Sequence, residues 1–187
     1  MKKRNITIFL FVFIFIIILD QGLKIWVVNN MHLHETKTIP LLSHVMRLNY
    51  ILNPGLINGF LIGGQYLKIL FLIFRLVIIF FIFKFTIMNK KKGGIFEIIK
   101  PALIISGGMG NIIDWIFYGL FFNNAPSDAP FEFCYGQVVD MLQPKIPSFI
   151  PFIGGNYSTM IFNIADVSIL VGMVLYVFSK NKHKSKE

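Results

Sequence analysis

Four aspartates in this chain stand where an acid is costly to keep. Asp20 lies in "LDQGLK" (19–24), Asp114 in "GGMGNIID" (107–114), Asp140 in "GQVVDM" (136–141) and Asp166 in "FNIAD" (162–166). Asp20, Asp114 and Asp166 fall inside apolar runs, and ionisable groups inside a membrane are functional candidates by default. Neither Asp140 nor Asp166 has a cation at helical spacing, so scaffolding does not readily explain them. Two acids that share a site have a specific chemistry. Both cannot ionise cheaply, so one keeps a proton. The ionised carboxylate takes a proton from water as it attacks an amide carbonyl. The protonated one stabilises the oxyanion and then protonates the leaving nitrogen. Asp140 and Asp166 are therefore read as an acid–base pair for peptide-bond hydrolysis, with no cofactor and no metal.

The remaining polar residues read as support. Asp20 and Lys24 are four apart, which allows a local ion pair that neutralises a charge. Gly107, Asn111 and Asp114 are spaced by four and three, one face of a helix. Gly107 and Gly110 permit close helix approach there, and Asn111 can hydrogen-bond across the contact. Asn163 and Asp166, three apart, are read as sharing a face of the last helix. His32, His34 and His44 lack a clear fourth ligand and read as exposed loop residues rather than a metal site. The single cysteine, Cys134, excludes an internal disulfide and is read as an incidental small residue. No phosphate-binding loop, dinucleotide motif or Ser-His-Asp order stands out.

These residues need helices to hold them. The chain has 187 residues, 55% hydrophobic and only 14% charged, with mean hydropathy +0.68. One domain, residues 1–187, is the default for that length. Four apolar runs, about 6–28, 66–88, 98–120 and 157–178, have the length of membrane spans. The expected fold is an all-α, four-transmembrane-helix bundle. The basic start, "MKKRNITIFLFVFIFIIILD", has no small-residue cleavage site after it and is read as a retained helix rather than a removed signal. Lys2, Lys3 and Arg4, then Lys90, Lys91, Lys92 and Lys100, then Lys180, Lys182, Lys184 and Lys186 all fall on one side of a four-span chain. That side, with both termini, is cytoplasmic by the positive-inside rule. The net charge of +9 thus reads as topology, not as nucleic-acid affinity.

The two outer connections, 29–65 and 121–156, are long, as functional loops often are. "VMRLNYILNPG" suits an extended segment before a turn, so a small β-containing outer subdomain is expected. "PKIPSFIPFIGG" suits the membrane interface. On this topology Asp20 lies roughly 12 Å, Asp114 roughly 9 Å and Asp166 roughly 13 Å from the outer helix ends. Asp140 stands just above them. The acids cluster near one face although the helices alternate in direction.

With these motifs in order along almost the whole chain, the sequence resembles lipoprotein signal peptidases, the signal peptidase II family of bacterial inner-membrane aspartic proteases. "LDQGLK", "NPGLING" (53–59), "GGMGNIID", "GQVVDM" and "FNIAD" carry the resemblance. It implies that Asp140 and Asp166 are the catalytic dyad. It implies that Asp20, Asn53, Asn111, Asp114 and Asn163 support or line the site, and Lys24, Gly107 and Gly136 are grouped with them. The implied partner is a prolipoprotein signal helix bearing a diacylglyceryl-cysteine, met near the outer face by a monomer. Three departures stand out: Trp115 where the family usually has arginine, a longer stretch from Gly119 to Tyr135, and Leu56, Ile57 and Asn58 in place of a small-small-Phe segment. Arg75, roughly 14 Å from the outer end of its helix, is expected to assume part of the missing arginine's role beside Asp114. The competing classes are a proton-coupled carrier, against which the absence of repeated halves counts, and an assembly scaffold.

Overall fold

The computed structural model describes residues 3–33, 39–41, 45–54, 64–88, 94–150 and 155–184. Their elements are α1 (Lys3–Asn30), β1 (Ile39–Leu41), β2 (Met46–Asn53), α2 (Gly64–Met88), α3 (Phe96–Ile113), a π-helical turn (Asp114–Tyr118), α4 (Gly119–Phe122), β3 (Val138–Pro144) and α5 (Ile164–Lys184). Lys3–Asn30, Leu67–Met88 and Phe96–Phe122 are long and apolar enough to cross a membrane. The apolar part of α5, Ile164–Phe178, is about 22 Å long at 1.5 Å per residue, short of a hydrocarbon core of about 30 Å. The chain divides into two compact units.

One unit comprises Met1–Asp20, Ile69–Ile113 and Ile164–Glu187. Phe9, Ile98, Ala102 and Ile105 form its buried core, with Val12, Phe13, Ile79 and Ile82 packed around them. The helices α3 and α5 meet through small residues. A Cβ on Gly107 would strike the Ala165 carbonyl, and one on Gly172 would come within 2.6 Å of Ile104. Ser168 Oγ donates to Leu103 O at 2.8 Å across the same contact. Many large side chains, such as Phe11, Ile18, Phe74 and Phe85, point outward. Helices, whose backbone groups are satisfied internally, can present such side chains to lipid.

The other unit comprises Gln21–Lys68 and Asp114–Asn163. Its centre is an antiparallel sheet in the order β1-β2-β3. Ile51 faces Asp140 and Asn53 faces Val138, after an irregularity in register between Leu48 and Ile51. Gln143 knits the sheet together: its Oε1 accepts from Arg47 Nε at 2.6 Å and from Asn49 Nδ2. Burial pushes the Tyr50 hydroxyl above its ordinary pKa, which keeps the phenol neutral on this sheet. The extended segment expected within "VMRLNYILNPG" is thus a strand, and the chain through "GQVVDM" forms its partner β3, which the sequence reading does not assign.

The fourth and third apolar runs correct the expectations made of them. The fourth helix begins at Ile164, not near Tyr157. The preceding residues pair with β3 instead: Phe162 N donates to Leu142 O at 3.0 Å and Leu142 N donates to Phe162 O at 2.7 Å. Asp166 therefore lies in the first turn of α5, not deep along it, and Asn163 precedes the helix rather than sharing its face. The third run is not one regular helix, because it opens into a π turn at Asp114. Lys100, grouped above with the basic residues between the second and third runs, lies within α3. It is buried, pairs with Glu97 and lies 4.7 Å over the Tyr176 ring.

Candidate active site

Asp140 sits in the middle of β3 and is buried. Both of its oxygens accept amide hydrogen bonds. Asn163 Nδ2 donates to Oδ1 at 2.7 Å and Asn53 Nδ2 donates to Oδ2 at 2.9 Å. An ionised carboxylate is acceptor-only, and two N–H donors from opposite sides hold its plane fixed. β2 delivers Asn53 because its last residue pairs across the sheet with Val138. The bridge between Leu142 and Phe162 delivers Asn163.

Asp114 supports the same strand. Its Oδ2 lies 2.7 Å from Lys24 Nζ, both side chains being fully buried. Gln21 Nε2 donates to Oδ1 at 2.9 Å, and Tyr118 OH donates to Gln21 Oε1 at 3.0 Å. Val139 N donates to Oδ2 at 3.3 Å, so Asp114 grips the backbone one residue before Asp140. A π turn widens the helix, and such turns recur at functional sites. Here the returning chain bonds to its carbonyls: Gly136 N donates to Trp115 O and Cys134 N to Ile116 O, both at 3.0 Å. Gly136 must be glycine for this approach, since a Cβ would strike the Asp114 carbonyl oxygen. Burial pushes the Cys134 thiol above its ordinary pKa. That keeps it in the unreactive thiol form, against a nucleophilic role.

In the other unit, Asn111 Nδ2 donates to Asp166 Oδ1 at 2.8 Å. Arg75 interacts electrostatically with Asp166, and the N-terminus of α5 favours a negative group in its first turn. Asp20 Oδ1 accepts from Ala165 N at 2.9 Å, satisfying a donor at that helix end. Gly110 makes room for Asp20: a Cβ there would lie 2.6 Å from Asp20 Oδ2.

Every expected site residue is thus engaged. Asp140, Asn53, Asn163, Asp114, Lys24 and Gly136 gather in one unit, and Asp166, Asn111, Gly107 and Asp20 in the other. Lys24 reaches beyond its own helix to Asp114 and places a cation beside that acid. Arg75, expected at Asp114, has Asp166 as its acidic neighbour within its unit. Sequence reasoning does not single out Gln21 or Lys68. Lys68 is fully buried, donates to Tyr135 O at 2.9 Å and lies 5.6 Å from the Trp115 ring. A lysine near the start of an apolar run is the signal that could have found it. His32 is exposed, while His34, His44, Leu56, Ile57 and Asn58 lie outside the described residues.

Comparison with known proteins places the chain in a family. The family described as signal peptidase (SPase) II matches residues 12–181. The lipoprotein signal peptidase of Amoebophilus asiaticus (strain 5a2) is 38% identical over 173 residues, covering 88% of this chain and 73% of that protein. The lipoprotein signal peptidase of Buchnera aphidicola subsp. Baizongia pistaciae is 38% identical over 165 residues, covering 87% and 83%. A bacterial membrane enzyme solved by the in meso method at 2.3 Å resolution has the same fold, with TM-score 0.69 at 23% identity over 100% of this chain and 93% of that one. The chain is a bacterial multi-pass membrane protease and belongs to the signal peptidase II family.

Proposed function

We propose that the protein is an aspartic endopeptidase that removes the signal peptide from diacylglyceryl-modified prolipoproteins, cutting just before the lipidated cysteine. The observation that carries this reading is the double amide clamp on Asp140, with Asn53 on one oxygen and Asn163 on the other. Asn163 is three residues ahead of Asp166 in the chain, and Asn111 holds Asp166 in turn. Two immobilised acids suit a reaction that needs one of them ionised and the other protonated.

Asp140 and Asp166 act on one scissile amide. The ionised acid accepts a proton from water while the water oxygen bonds to the carbonyl carbon. The protonated acid donates to the carbonyl oxygen. As the tetrahedral intermediate collapses, the C–N bond breaks, the nitrogen takes a proton from the acid that received it from water, and a hydroxyl of the intermediate returns its proton to the other acid as the new carbonyl forms. Asp114, Lys24, Gln21 and Gly136 hold β3 in place, and Asn53, Asn163 and Asn111 orient the two acids. Asp20 and Gly107 support the start of α5. The short apolar helix α5 serves as a fourth span, the 187 residues form one integral membrane domain, and both termini are cytoplasmic, as the basic residues indicate. The substrate helix enters sideways from the bilayer, and its scissile amide unwinds because a helical amide is shielded.

A reconstituted cleavage assay tests the reading. Purified protein is incubated with a prolipoprotein bearing the diacylglyceryl group and with the same chain bearing a bare cysteine. The lipidated substrate is expected to be cut at least about tenfold faster, because each buried methylene holds the cysteine in the bilayer by roughly 0.8 kcal/mol. Equal rates would replace this reading with a general membrane protease. Proton flux without cleavage would replace it with a carrier.

A further inference from the structure

Between Asn124 and Gln137 the chain makes a closed loop. Asn124 Nδ2 donates to Gln137 O at 3.0 Å, and Gln137 answers with N to Asn124 Oδ1 at 3.0 Å and Nε2 to Asn124 O at 2.8 Å. Three bonds between two residues shut its neck, as in compact loops whose ends meet. Inside, Ala129 N donates to Pro126 O at 3.0 Å, and the return arm is tied down by Cys134 N, Gly136 N and the Lys68 bond to Tyr135 O. A loop held at so many points presents its side chains in a fixed arrangement.

Two of those side chains are large, apolar and outward. Phe131 is 56% and Phe133 47% exposed. Phe133 stands edge-on to Phe117, with ring centroids 6.1 Å apart, and Phe117 stacks on Phe121 at 6.1 Å. Phe117, Leu120 and Phe121 are themselves exposed on the last turns of Phe96–Phe122, a helix that meets the requirements for crossing a membrane. The aromatic row therefore continues a lipid-facing helix surface onto the loop. Phe131 packs edge-on to Tyr135 at 5.0 Å, yet most of its surface stays open. The exposed carboxylates of Asp128 and Glu132 give the same loop a polar edge, and an aromatic–polar combination belongs at the boundary between acyl chains and headgroups.

We infer that the loop between Asn124 and Gln137 is a membrane-interface anchor, with Phe131 and Phe133 seated in the upper acyl region of the bilayer. Its return arm runs directly into β3, so the anchor fixes the depth of Asp140 beneath the headgroups. Nothing in this depends on which residues perform the hydrolysis.

Site-directed spin labelling in lipid nanodiscs tests it. In a Cys134→Ser background, nitroxides are attached at Phe131→Cys, Phe133→Cys and, for comparison, Asp128→Cys. Labels at 131 and 133 are expected to collide more often with oxygen, which concentrates in lipid, than with a water-soluble nickel chelate. The label at 128 is expected to show the reverse. Nickel-dominated collisions at 131 and 133 would overturn the anchor. So would low collision with both reagents, which would mean that a second copy or another segment covers the rings. The unmodified protein gives a second measurement. A phospholipid with a diazirine high in its acyl chain is expected to label the peptide containing residues 131–133, and absence of label there would also overturn the anchor. Neither readout requires cleavage, so failure here leaves the proposed activity to its own test.

Discussion

Asp140→Asn and Asp166→Asn are each expected to lower prolipoprotein turnover by about 10⁴-fold, the upper range for loss of a general acid or base. An amide neither takes the proton of the attacking water nor cycles as an acid, yet it is nearly isosteric with the carboxyl group. Both variants are also expected to cost stability. Asp140 accepts on both oxygens, from Asn163 and Asn53. An asparagine there offers one oxygen and one NH2, so one neighbouring amide meets a donor instead of an acceptor. Such a mismatch costs roughly 1–3 kcal/mol. Asp166 accepts from Asn111 on Oδ1, and an asparagine can keep that bond but loses the charge that faces Arg75 and the N-terminus of α5. Both variants are therefore expected to unfold at a lower temperature than the parent, and both to be inactive. Single-turnover cleavage alongside thermal unfolding in detergent reads both effects. Substantial cleavage by either variant would reject the assignment of the pair.

Much of this site is legible in the amino-acid sequence because its constraints are local. Acids inside apolar runs declare themselves by their cost. Gly107 and Asn111 share a face because the helix period is 3.6, and the structure puts Gly107 against Ala165 and Asn111 on Asp166. "VMRLNYILN" carries the residues of a strand, and it pairs with β3. Non-local competition is what the sequence conceals. Residues 157–163 read as the start of a helix, since a short apolar run cannot be assigned by periodicity alone. They become extended because β3 offers them hydrogen-bond partners. Lys24 has an acid one turn away in sequence, and i,i+4 pairs are easy to read. Its bond to Asp114 spans 90 residues of chain and has no local signature. The π turn is hidden for the same reason. Its widened carbonyls are tolerable only because Cys134 and Gly136 arrive from 18 or more residues downstream to bond them.

That long-range ion pair sets the second large effect. Lys24→Met is expected to destabilise the protein by about 3–5 kcal/mol, the usual consequence of removing one partner of a buried pair. Lys24 and Asp114 are both inaccessible to solvent, and their charged atoms are 2.7 Å apart. Methionine keeps most of the side-chain volume, so the loss is electrostatic rather than a cavity. The carboxylate left behind still accepts from Gln21 and from Val139 N, but neutral donors such as these do not balance a full buried charge as an ammonium does. Asp114→Asn removes the charge and keeps an acceptor beside Lys24. The double variant Lys24→Met/Asp114→Asn removes both charges together. It is expected to be more stable than Lys24→Met alone, because contacting residues do not contribute additively. Activity should follow the same order, since Asp114 holds the backbone at Val139, immediately before Asp140. Thermal unfolding of the three variants in one detergent decides the matter. If Lys24→Met unfolds with the parent, or if the two substitutions are simply additive, the buried pair does not organise β3. The position of Asp140 would then have to rest on the sheet and the two asparagine clamps alone.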